Sequence, residues 1–104
     1  MALSQEQKKQ FKSIGHHLKP VLTIVADNGL SEGVMAELER ALDDHELIKI
    51  QLRVAEREDR HALIEELCRS ARCELVQSIG KVALVYRKNP KPNRHLSNIL
   101  RNQE

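Results

Sequence analysis

The chain has no tryptophan, one phenylalanine and one tyrosine among its 104 residues. Its core must therefore come from Leu, Ile, Val and Ala, and a nucleic-acid binder that stacks bases on rings across a sheet is excluded for want of rings. The only cysteines are Cys68 and Cys73. With no second pair and no metal-type histidine spacing, they predict neither a disulfide framework nor a metal site. They read as reduced thiols of a cytoplasmic protein, with Cys68 buried on a helix. No apolar run approaches the roughly 20 residues of a membrane span, and the start of the chain lacks the apolar core of a signal peptide. Catalytic signatures are missing too: no nucleophile–base pairing, glycine-rich nucleotide loop or metal-ligand set stands out, so neither an enzyme nor a cofactor is expected.

What is present is charge, unevenly placed. The net charge is +2, yet residues 1–20 carry +3 and residues 87–104 carry +4, against −5 for the stretch between. Basic ends on an acidic body suggest a polyanion-binding surface where the termini converge. At 40% hydrophobic content the chain can bury one core and no second.

Helical periodicity runs from Ser4 to Leu18, with Phe11, Ile14 and Leu18 on one face and Lys8, Lys9, Lys12 and His16 on the other. Ser4 and Gln7 have the spacing of a capping box. Pro20 ends this helix and Val21–Val25 reads as a first strand. A second helix follows from Ser31 to about Asp44, where Gly33 suggests close packing. Ile48, Ile50, Leu52 and Val54 alternate with Lys49, Gln51 and Arg53, which predicts a strand with one cationic side. A third helix starts on the acidic residues from Glu56 to Asp59 and buries Leu63, Ile64, Leu67, Cys68 and Ala71. Two further strands, from Glu74 to Ile79 and from Val82 to Arg87, flank the turn pair Gly80-Lys81, with Tyr86 packed in the sheet. Proline and asparagine then break regular structure, and residues 89–104 are expected to form a flexible basic tail.

The order α-β-α-β-α-β-β predicts a two-layer α+β domain over residues 1–88: a four-stranded mixed sheet, the second and third helices on one face, and the first helix, residues 4–18, at an edge or end. The sheet face left open is expected to carry Lys49 and Arg53. The chemically richest segment is Ala26-Asp27-Asn28-Gly29-Leu30-Ser31. Asn-Gly readily supplies positive φ and Ser31 is a good N-cap, so free backbone N–H groups and the positive end of a helix dipole meet there, as a phosphate cradle requires.

Leu18-Lys19-Pro20, the run from Asn28 to Val34, His45-Glu46-Leu47-Ile48-Lys49-Ile50, and Gly80-Lys81 leading into Leu84-Val85-Tyr86-Arg87 together resemble the YhbY-type bacterial proteins. That family is a stand-alone CRM domain, the module named for chloroplast RNA splicing and ribosome maturation. The resemblance covers about residues 3–88. It implies a fold similar to the C-terminal domain of translation initiation factor three with an extra N-terminal helix, RNA binding, association with ribosomal RNA of large-subunit precursors, and a part in ribosome assembly. It also implies a G-x-x-G loop like the backbone-clamping loop of KH domains. The matching tetrad departs from that pattern, with Ala26 at the first glycine and an acidic Asp27 within it. Alanine does not favour positive φ, and a carboxylate repels a phosphate unless it is turned back to cap its own turn.

The combined expectation is a monomer in which Asp27, Asn28 and Gly29 form the phosphate-contacting loop, while Lys12, Lys19, Lys49, Arg53 and Arg87 surround it with positive charge. Its partner is single-stranded or irregular RNA, with neither a membrane nor a small-molecule substrate involved. Lys81, His16 and His17 read as solvated surface residues. The competing reading is a non-catalytic adaptor that reaches the ribosome through the acidic outer faces of the second and third helices.

Overall fold

The computed structural model describes residues 3–25 and 30–99. Seven elements follow in the order α1 (Gln5–Gly15), β1 (Pro20–Val25), α2 (Glu32–His45), β2 (Leu47–Arg53), α3 (Arg57–Ala71), β3 (Glu74–Ile79) and β4 (Val82–Tyr86). The strands form one mixed sheet in the order β1-β2-β4-β3. β1 lies parallel to β2, whereas β4 runs antiparallel to both β2 and β3.

Local chemistry accounts for the element ends. Ser4 Oγ accepts from the Gln7 N–H at 3.1 Å and Gln7 Oε1 accepts from the Ser4 N–H at 3.0 Å, closing the expected capping box. Ser31 Oγ accepts from the Val34 N–H at 3.3 Å and caps α2. Gly80, with φ at +55°, makes the tight turn between β3 and β4.

Alternation along the strands sorts side chains to two faces. Ile24, Ile48, Ile50, Leu52 and Val85 point to one side, where Leu38 and Leu42 of α2 and Ile64 and Leu67 of α3 complete the main core. The other face holds a smaller cluster in which Phe11 and Ile14 of α1 pack on Leu47, Val76 and Leu84. The first helix therefore lies on the sheet, not at its edge, and covers the half of this face farther from the β3–β4 hairpin. Gly15 permits that approach, because a Cβ there would run into the Leu84 side chain. Phe11 meets Tyr86 with ring centroids 4.6 Å apart. Burial, with Glu46 and Glu74 nearby, holds the Tyr86 phenol above the usual tyrosine range.

Three further sequence expectations are corrected. Among the described residues nothing lies within 4 Å of the site a Cβ on Gly33 would occupy, so that glycine serves no close packing with them. Cys68 is only half-buried and Cys73 is the buried thiol, because Arg72 adopts a left-handed conformation at the end of α3 and turns the chain inward. The segment after residue 88 is docked, at least through Ile99, with Ser97 fully buried. It closes the C-terminal end of α2, where helix carbonyls lack intrahelical donors. The Asn98 N–H donates to the His45 carbonyl at 2.9 Å and Asn89 Nδ2 to the Asp43 carbonyl at 2.8 Å. The buried Glu46 carboxylate accepts from Ser97 Oγ at 2.6 Å and from the Asn89 N–H at 2.9 Å. The folded body thus extends past the expected boundary at residue 88.

Candidate nucleic-acid interface

Because α1 covers only part of its face, the hairpin-side half of the sheet stays open. Paired residues share a face, so Thr23 lies beside Gln51 and Val25 beside Arg53. Lys49 and Arg53 therefore emerge on the open side, as the alternation predicted. Large aliphatics stand in water on the sheet, among them Val21 at 47%, Val25 at 40% and Ile79 at 64% exposure. The carboxylate that the strands contribute to this face, among the described residues, is Glu74. It lies at the covered end, where it accepts from the Leu3 N–H at 2.9 Å. The open half is consequently cationic and aliphatic, with no acid among the described residues of its strands.

Two flanks extend this charge. At the end of α1, His16 lines a groove shared with Pro20 and Lys49. Lys12 lies one helical turn before His16, on the same side of α1. Lys19 sits at the entry to β1 and is exposed. On the opposite flank, Lys81 occupies the exposed hairpin turn, where its carbonyl accepts from the Leu52 N–H at 2.6 Å. None of Lys12, Lys19, Lys49, Arg53 and Lys81 is ion-paired within the described residues; both recorded ion pairs belong to Arg87. Unpaired cations on one surface retain their attraction for an external anion.

Arg87 does not join them. Its Nη1 donates to Glu39 Oε2 at 2.6 Å and to the Ala71 carbonyl at 2.9 Å, while Nη2 donates to Asp43 Oδ1 at 2.8 Å and to the Glu39 carbonyl at 3.2 Å. Its N–H donates to the Glu46 carbonyl at 2.9 Å, at the end of the sheet remote from the hairpin. A guanidinium neutralised by two carboxylates and holding two carbonyls is a brace between α2 and α3, so the expectation that it surrounds the loop is corrected.

Asp27, Asn28 and Gly29 lie outside the described residues. The flanking structure fixes where the chain enters and leaves that loop: β1 delivers it beside Arg53 at the open end of the sheet, and it leaves at the Ser31 cap of α2. The exposure of Val21, Val25 and Ile79 is not among the sequence expectations, whereas Lys81, expected to be solvated, is exposed. The signal was available for Val25, since burying Leu22 and Ile24 sends Thr23 and Val25 to the opposite face, whereas Val21 sits at an irregularity in the register of β1. Ile79 depended on the irregularity between Leu75 and Gln77, which resets the facing of β3.

An α+β domain with a mixed four-stranded sheet, a basic open face and a loop leading into a capped helix defines a class of small domains that present one charged sheet surface. Residues 3–87 match the CRS1 / YhbY (CRM) domain. The chain belongs to that family. It is 77% identical over 101 residues to a protein of Pseudomonas aeruginosa named "Probable RNA-binding protein", with 97% of this chain and 96% of that protein covered. An "RNA-binding protein" of Haemophilus influenzae is 44% identical over 85 residues, covering 82% of this chain and 85% of its own length. Among solved structures, a hypothetical RNA-binding protein of Staphylococcus aureus superimposes with a TM-score of 0.75 at 30% identity, over 86% of this chain and 93% of that one.

Proposed function

We propose that this chain binds RNA through the open half of its sheet, that its target is ribosomal RNA in precursors of the large subunit, and that it assists their assembly without catalysis. The observation that carries the reading is a face that bears Lys49 and Arg53, flanked by Lys12, Lys19 and Lys81, and to whose open half the described residues of the strands contribute no acid. Backbone phosphates supply most of the attraction in RNA complexes, and five cations without an ion pair among the described residues match that need. The 26–29 loop follows directly from this surface, so amides of Asn28 and Gly29 contact the same strand of RNA in this proposal. Family membership and the names of the relatives support the RNA partner.

The rival is an adaptor that approaches the ribosome through α2 and α3, whose outer faces expose Glu37, Glu65 and Glu66. Crosslinking in cells, with mapping of the attached RNA, tests the two together. The proposal predicts reads concentrated in precursor large-subunit RNA, lost when Lys19, Lys49 and Arg53 are changed to Glu. Association with the ribosome that survives this triple substitution, with no crosslinked RNA, would establish the adaptor instead.

A further inference from the structure

The open half of the sheet is not flat. Between the last turn of α1 and the β3–β4 hairpin it sinks into a groove of about 360 Å³, lined in part by Gly15, Lys49, Gln77, Ile79, Val82 and Leu84. Gly15 seats α1 directly on Leu84, which closes one end of the groove with backbone.

We infer that this groove accepts one unstacked nucleobase of a single-stranded RNA whose phosphates run along Lys19, Lys49 and Arg53. The inference rests on the RNA reading above and adds which part of the RNA enters the protein. A volume of 360 Å³ falls at the lower end of the range of small-ligand sites, roughly 300–1,000 Å³, which suits one nucleotide rather than a protein helix. Its surface is mainly aliphatic, and Ile79, 64% exposed, offers water a large apolar area that the face of a base covers. A base also carries a polar edge. The half-buried Gln77 amide, across Leu84 from Lys49 on this face, presents both a donor and an acceptor to it.

Charge decides between kinds of occupant. Among the described residues no carboxylate lines the groove, Lys49 lies in it, Lys19 directly precedes the Pro20 that pairs with Lys49, and Arg53 lies four residues further along β2. An aliphatic peptide would leave these cations without partners, whereas a nucleotide brings an apolar face and an anionic linkage together. Paired RNA cannot supply this ligand, because its bases are stacked inside the helix and its readable grooves present edges and riboses. The lack of aromatic platforms is thereby met by aliphatic contact with a single base.

The test uses two octamers, oligoadenylate and a fully abasic strand of the same length and charge, titrated against the whole chain by fluorescence anisotropy, with amide shifts followed by nuclear magnetic resonance. Oligoadenylate should bind about fivefold or more tightly than the abasic strand, a base contact of about 1 kcal/mol. It alone should shift the amides of Gly15, Gln77 and Val82. Ile79→Ala, which alters an exposed side chain, should erase most of the difference while leaving abasic binding unchanged. Equal affinities with unmoved groove amides would overturn the base site and leave the RNA reading standing. Failure of both strands to bind at low salt would overturn both.

Discussion

Arg87 ties three elements together from one side chain, and its chemistry separates stability from binding. It follows β4, reaches two carboxylates of α2, Glu39 and Asp43, and holds the last-turn carbonyl of α3. Hydrogen bonds to charged groups contribute about 1.5–3 kcal/mol each way they are broken, so Arg87→Ala should lower unfolding stability by about 2–3 kcal/mol. Because the guanidinium is engaged inside the protein, RNA affinity measured at a temperature where the variant is folded should stay within about twofold of the parent. Denaturant unfolding and anisotropy on the same sample check the two halves. In the sequence Arg87 is indistinguishable from the other cations, alike in sign and in its place near the chain end. Its partner Glu39 lies 48 residues away, and nothing local to either residue announces the pair.

The strap formed by residues 89–99 makes the parallel case at the scale of an element. It closes the open carbonyls of α2, satisfies the buried Glu46 carboxylate, and inserts Ile99 into the cluster of Phe11, Leu47 and Leu84. Ending the chain at residue 88 should therefore cost about 3 kcal/mol, from one lost aliphatic burial and one buried carboxylate left without donors. Thermal unfolding of the shortened chain checks this, and an unchanged midpoint would contradict it. The helices, the strands and the hairpin were legible beforehand because their signals are short-ranged: a capping box at Ser4 and Gln7, alternation from Ile48 to Val54, and a turn at Gly80. The strap was not. Its composition is that of a loose tail, and it is ordered by contacts with His45, Glu46 and Leu47 about 50 residues earlier, which no local pattern encodes. The same distinction applies to the site. Lys49 and Arg53 were readable from strand periodicity, whereas the uncovered state of their face depended on where α1 docks, and that is set by Gly15 meeting Leu84.

At the scale of the whole molecule, the fold segregates charge that the sequence only hints at. Acidic side chains populate the outer faces of α2 and α3, while the opposite sheet face, over its open half and among the described residues of its strands, is bare of them and carries Lys49 and Arg53 between the flanking Lys12, Lys19 and Lys81. Such a two-sided distribution orients the molecule toward a polyanion and turns its acidic side away. The central claim is that those five cations contact phosphate. The salt dependence of affinity for a single-stranded RNA, compared between the parent and a Lys49→Ala, Arg53→Ala double variant, measures it directly. With about 0.7 counterions released per phosphate on single strands, the parent should give a log–log slope near −3.5 and the variant one near −2. Equal slopes for the two proteins would show that the phosphates lie elsewhere on the surface and would contradict the account.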